Sequence, residues 1–255
     1  MFDDLKALQV IHDGPSLTVR FNAPETGNAI SGLLLDELLA VLGALDDHPD
    51  IRVLILAAAG DDFCLGGDRA EFPSLISSQE GQAAMRALGN KARRVCDLLA
   101  TTGVVTIARL HGAVVGAGVG LAVLCDLRAG AENCRFRLPE LGLGVPPAWG
   151  GIMPRMLYES GAARLRELVL TAENFDARKA AELSILHKVV PEEELDATID
   201  RWTKPLLRRS PAALRTAKAM LNSYAGAHRL GDGTLLDTEL LTYAVAAREV
   251  SRSPR

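Results

Sequence analysis

Apolar residues follow two rhythms along this chain. Residues 8–12 and 17–22 are short mixed runs that read as strands, joined by a turn at Asp13-Gly14-Pro15. After Ser31, which can cap a helix, Leu34, Leu35, Leu38, Leu39 and Leu42 recur at helical spacing. Residues 53–58 are continuously apolar, the pattern of a strand covered on both faces, and 104–110 repeat it. Between those runs, 73–82 is polar and mixed and reads as a mobile loop, followed by a helix from about 83 to 99. A helix of small residues starts at Gly116, and 136–138 reads as another short strand. From Trp149 the rhythm is helical alone, over 152–159, 163–171, 177–183, 192–208, 212–224 and 235–250. Alternating strands and helices that give way to helices predict an α/β core over 1–195 and a helical C-terminal region over 196–255.

Two glycine-rich turns each follow a buried-looking run. Phe63-Cys64-Leu65-Gly66-Gly67-Asp68 comes after the first run, and Gly116-Ala117-Gly118-Val119-Gly120 after the second. Glycine lets backbone bend tightly and approach a ligand with no side chain in the way. If the turns meet at the ends of neighbouring strands, they can aim two N–H groups at one oxygen, the geometry of an oxyanion hole.

Composition narrows the picture. At 255 residues, 48% hydrophobic and 24% charged, the chain suits an ordinary soluble domain, and a net charge of −4 with pI near 5.8 argues against a nucleic-acid binder. Cys64, Cys96, Cys125 and Cys134 show no CxxC spacing and read as small buried thiols in a reducing compartment. The N-terminus is acidic without an apolar core, and the longest apolar stretch, 113–125, is too short for a membrane span, so a cytoplasmic protein with no membrane partner is expected.

Common catalytic signatures are missing. There is no GxSxG, no Walker sequence and no HExxH, and Leu121 takes the place of the third glycine of a dinucleotide fingerprint. The five histidines stand singly, with only His111 beside a glycine turn. The motifs that remain resemble the crotonase, or enoyl-CoA hydratase/isomerase, superfamily. They are Asn22-Ala23-Pro24 with Asn28-Ala29-Ile30, the turn 63–68, the segment from His111-Gly112 to Cys125-Asp126, Phe136 through Leu143 with Gly150-Gly151, and Phe175-Asp176-Ala177 through Val189-Val190. Ser184 stands where that last stretch usually has glycine.

The resemblance implies a spiral of β-β-α units with a helical trimerisation region, assembled as a homotrimer or hexamer. It implies an acyl-CoA thioester as substrate, with no separate cofactor and no metal. It assigns the thioester oxygen to the N–H groups of Leu65 and Ala117, with Gly66, Asp68 and Gly116 on the binding side. Hydratases of the family use two glutamates. The later one is present as Glu140, and the earlier falls on Gly120, which cannot activate water. A single carboxylate suits Δ3-to-Δ2 enoyl-CoA isomerisation, in which one base moves a proton from the α- to the γ-carbon. Leu138, Pro139, Leu141 and Leu143 surround Glu140 in sequence and should raise its pKa. A hydratase, dehydratase or decarboxylase on the same oxyanion hole, or a silent CoA-ester-binding homologue, are the alternatives, and Glu140 could instead cap a helix or make a surface pair.

Several further residues carry two readings each. Asp68 either lies near the adenine end of CoA or binds its own turn's amides. Arg69 and Lys218 either meet CoA phosphates or lie on solvated faces. Trp149 walls the acyl pocket or is a core aromatic. The chain also stops short of the tail that closes the pocket in many relatives. The acyl group, and whether CoA or a carrier protein bears it, have no code in the sequence.

Overall fold

The computed structural model describes residues 4–68, 70–71, 79–226 and 237–252. Among the described residues, nine strands form two sheets. The larger runs β1-β2-β3-β4-β6-β9, from β1 (Leu8–Asp13), β2 (Ser16–Phe21), β3 (Val53–Ala58), β4 (Val105–Leu110), β6 (Leu127–Ala131) and β9 (Lys188–Val190). Only the β1–β2 hairpin is antiparallel; the other neighbours are parallel. The smaller sheet is β5 (Ala113–Val115), β7 (Arg135–Arg137) and β8 (Asn174–Asp176). Two single bridges, Cys64–Val114 and Ile30–Gly67, extend it through the first glycine turn.

The chain winds so that a strand enters the large sheet, a shorter strand or bridge enters the small one, and a helix follows. After β3 and the Cys64 bridge comes α2 (Gln79–Thr101); after β4 and β5 comes α3 (Ala117–Leu124). The first helix, α1 (Gly32–Ala44), is capped as expected, since Ser31 Oγ accepts from the Leu34 N–H at 3.2 Å and satisfies one orphan donor of its first turn. Its Leu34, Leu35, Leu38 and Leu42 are buried. Between the layers lie Phe21 and Phe63, whose rings are 5.3 Å apart, with Leu54, Leu56, Ile107 and Leu110. Truncating any of these aliphatics to alanine costs about 2–5 kcal/mol, because the close-packed surroundings cannot collapse fully into the space left.

Beyond Trp149 lie α4 (Met153–Ser160), α5 (Ala162–Thr171), α6 (Ala177–Glu182), α7 (Leu195–Arg208), α8 (Pro211–Gly226) and α9 (Asp237–Arg252). The expectation of helices alone there is corrected: β8 and β9 also come from this region, and β9 forms an edge of the large sheet. Both are three residues long, too short to show a period of two. The charged Arg128 hides β6 in the same way. Helix α2 begins at Gln79, so 79–82 are helical where a loop was expected, and 72–78 of that loop lie outside the described residues. The expected boundary at 195 coincides with the start of α7, whose Leu195 and Ile199 are nevertheless buried in the core. No helix among the described residues is long and apolar enough to cross a membrane.

Candidate active site

The two glycine turns meet. Cys64 lies against β5, donating its N–H to Ala113 O at 3.0 Å and accepting from the Val115 N–H at 2.9 Å. Gly118 of the second turn packs directly on Cys64: a Cβ there would lie 2.8 Å from Cys64 Cβ and 3.0 Å from its carbonyl oxygen. Glycine is required at 118 by this close approach.

Hydrogen bonds decide which amides remain available. On its other side the first turn runs beside the segment preceding α1. The Leu65 N–H donates to Gly27 O at 2.9 Å, the Ile30 N–H to Gly66 O at 2.8 Å, and the Asp68 N–H to Ile30 O at 3.0 Å. The Gly66 N–H approaches Cys64 Sγ at 3.3 Å. Leu65 is therefore corrected as a donor, since its N–H is already bonded. The Gly67 N–H has no acceptor among the described residues. Because 66 and 68 make the bonds of the Ile30–Gly67 bridge, the N–H of Gly67 itself turns away from Ile30. Gly66 allows this change of direction with φ +94°, and a Cβ there would press on Val115 O at 3.3 Å.

In the second turn Gly116 ends β5 with φ 52°, its N–H donating to Arg137 O at 2.9 Å, and Ala117 opens α3. The first N–H groups of a helix have no intrahelical acceptor, and that of Ala117 has none among the described residues. The positive end of the helix dipole lies at the same place.

Gly66, Gly67, Gly116 and Ala117 line one cleft of about 850 Å³, open mouth included. Ile30, Leu35, Leu88, Trp149 and Leu241 are among its apolar walls, and Glu140 is the one ionisable side chain among its described lining residues. Glu140 Oε1 stands 3.1 Å from where a Cβ on Gly116 would be, so the missing side chain makes room for the carboxylate. Its Oε2 is buried with no hydrogen-bond partner among the described residues. Burial pushes the Glu140 pKa above the ordinary carboxylate value.

The place of an earlier glutamate is filled. A Cβ on buried Gly120 would lie 2.9 Å from Ile152 Cδ1, 3.0 Å from Ile152 Cγ2 and 3.3 Å from Trp149 Cζ3. Trp149 thus lines the cleft and also packs on the core, joining both of its readings. Helix α9 closes one side through Leu241. It is held by Thr238 against Gly89, by an Arg86–Glu239 ion pair of 3.0 Å and by the Gly151 N–H donating to Asp237 at 3.2 Å.

Other candidates turn out to be structural. Asp68 Oδ1 accepts from the Ala70 N–H at 2.8 Å, binding its own turn. Lys218 is corrected as a phosphate contact: it is buried, 2.8 Å from Asp126 and donating to Val104 O at 2.8 Å. Arg69 lies outside the described residues. His111 is buried with Nε2 2.8 Å from Gly60 O, and does not line the cleft. The four cysteines are free and buried, and desolvation pushes the thiols of Cys64, Cys125 and Cys134 up to about 12.

Sequence reading gave no role to two anchors, Asn28 of the N-terminal motif and Arg128. Asn28 ties the approach to the first turn through bonds to Ala23, Ala59 and Asp62. Arg128, 1% exposed, donates to Val123 O at 3.1 Å and Cys125 O at 2.8 Å at the end of α3, to Ile185 O at 2.8 Å, and to Glu159. A lone arginine among apolar residues was the only signal for it.

A spiral α/β fold whose two glycine turns and Glu140 line one cleft defines a class, and comparison with known proteins agrees. Residues 16–255 match the family model described as enoyl-CoA hydratase/isomerase. The chain belongs to that family, within the crotonase superfamily. It is 31% identical over 211 residues to the short-chain-enoyl-CoA hydratase of Clostridium acetobutylicum, covering 82% of this chain and 78% of that one. It is 29% identical over 272 residues to the peroxisomal Δ(3,5)-Δ(2,4)-dienoyl-CoA isomerase of Arabidopsis thaliana, covering 99% and 98%. Among solved structures, an enoyl-CoA hydratase/isomerase from Marinobacter aquaeolei superimposes with a TM-score of 0.79 at 30% identity, covering 97% of this chain and 92% of that one.

Proposed function

We propose that this enzyme stabilises the enolate of an acyl-CoA thioester and uses it to shift an enoyl double bond from Δ3 to Δ2. The thioester oxygen is received by the N–H groups of Gly67 and Ala117. Removing the α-proton moves charge onto that oxygen, and two fixed donors in a largely apolar cleft oppose it without reorganising. Glu140 takes the proton and returns it to the γ-carbon. Burial suits this carboxylate to proton abstraction, because a raised pKa makes it a stronger base than a solvated one. Acyl-CoA is the substrate class because it is the one named for the relatives on both sides of the family.

One observation carries the choice of reaction. Glu140 is the one carboxylate among the described lining residues of the cleft, and a side chain at 120, where the second glutamate would stand, would meet Ile152 and Trp149. The test is formation of conjugated 2-enoyl-CoA from a 3-enoyl-CoA, followed by its absorbance. Wild type should turn over, and Glu140→Gln should lose about 10²–10⁴-fold. Equal rates would remove Glu140 as the base.

Hydration is the second reading, favoured by the hydratase named among the relatives. Supplying 2-enoyl-CoA and identifying products by mass separates the two. Rapid formation of a 3-hydroxyacyl-CoA would replace the isomerase reading. Decarboxylation of malonyl-type thioesters, or binding without any turnover, would displace both. The homotrimeric or hexameric state expected from the family is part of this proposal and is tested by light scattering.

A further inference from the structure

We infer that Asn28 is a positioning residue for the enolate site, acting through the Gly67 N–H; this rests on the reading that Gly67 receives the thioester oxygen. Asn28 is 1% exposed and has a positive φ of 53°, a conformation that strains most side chains but that asparagine tolerates. Its carboxamide makes three hydrogen bonds. Oδ1 accepts from the Ala23 N–H at 3.0 Å, and Nδ2 donates to Ala59 O at 2.8 Å and Asp62 O at 2.9 Å. Those two carbonyls bracket the short passage from the end of β3 to the first residue of the glycine turn.

The neighbours of Asn28 complete the arrangement. Gly27 O holds the Leu65 N–H, and Ile30 holds Gly66 O and the Asp68 N–H. Segment 27–30 is therefore a template along which 65–68 is laid, and it leaves the Gly67 N–H as the donor without a partner among the described residues. Asn28 fixes that template to the strand end feeding the turn. An error of an ångström in a group that meets the reacting atoms can cost about a hundredfold in rate.

The readout is the ionisation of acetoacetyl-CoA bound to the protein, because its enolate has its own ultraviolet absorbance and needs no turnover. With wild type, the bound ligand should ionise at lower pH than the free ligand. Asn28→Asp keeps the shape but cannot donate to Ala59 O and Asp62 O. Asn28→Gly keeps the permissive backbone, drops all three bonds, and serves where the buried carboxylate prevents folding. Either variant should move the midpoint up by about one pH unit or more, a tenfold loss of enolate stabilisation. Binding of butanoyl-CoA, which carries the same CoA, should change by less than about threefold. A folded variant with a lowered melting temperature and an unmoved midpoint would overturn the inference and leave Asn28 a stabiliser only. A wild-type protein that does not lower the midpoint would sink the enolate site and the positioning role together. Failure of double-bond shifting alone, with the midpoint behaviour intact, would remove the proposed reaction and leave the positioning role standing.

Discussion

The first glycine turn is held as extended chain, whereas the second is the beginning of a helix. In the first, Leu65 and Asp68 give their N–H groups to residues 27 and 30, Gly66 approaches a sulfur, and Gly67 is left over among the described residues. In the second, Ala117 is left over because a helix offers no acceptor to its first amides. A free donor made by exhausting its neighbours depends on a distant segment keeping register. One made by a helix end depends on the helix alone, here anchored at its far end by Arg128. Two unlike devices brought together at Cys64 and Gly118 can be disabled separately, which makes the pair testable.

The largest effect should come from the group both turns serve. Glu140→Gln leaves both donors in place and should cost about 10²–10⁴-fold in isomerisation, so any rate left over measures what the two turns do without a base. Next is Ala117→Pro. Proline is well suited to the first position of a helix but has no N–H, so α3 should persist while kcat falls about 10²–10³-fold. Retained ellipticity with an unchanged kcat would show that the second turn supplies no donor. Gly118→Ala attacks the contact between the turns, forcing a methyl group to within 2.8 Å of Cys64 Cβ. It should cost about 1–3 kcal/mol of stability by overpacking, read by denaturant titration, and lower kcat more than it raises KM.

The smallest effects are those of pH. As a base, Glu140 works only when ionised, so kcat/KM should fall as pH drops through its raised pKa, at higher pH than an ordinary carboxylate near 4.5, and Glu140→Gln should lack that limb. The sign for stability is opposite to that of a paired carboxylate. The folded state holds the proton more tightly than the unfolded state, so stability declines as pH rises from the unfolded pKa through the folded one. Above that window Glu140→Gln should be at least as stable as wild type in thermal melts. His187 behaves conversely: burial, with Arg128 and Arg155 nearby, lowers its pKa to about 4, so the contribution of its neutral form should be lost as pH falls from about 6.5.

Much of the site was legible in the order of residues alone. The cap at Ser31, the leucine face of α1, the buried runs of β3 and β4, both glycine turns and Glu140 all depend on residues close together in sequence. Leu65 shows where that stops. Which amide of a turn is free depends on what its neighbours meet, and Leu65 meets Gly27, a partner far along the chain. Lys218 fails for the same reason in reverse: nothing near it in sequence announces Asp126 or the carbonyl of Val104. The three-residue strands β5, β8 and β9 exist only because a neighbouring strand pairs with them.

Periodicity, caps and glycine spacing are local properties, and they suffice to state that an α/β core with two tight turns is encoded in this chain, while the spiral and the choice of Glu140 came from the resemblance of its motifs to a family. Folding then chose Gly67 over Leu65, gave Gly116's missing side chain to the Glu140 carboxylate, and filled the place of a second acid with Ile152 and Trp149. Those outcomes belong to close packing and to hydrogen bonds between distant segments, where a few tenths of an ångström decide which atom is satisfied and which is left to do chemistry.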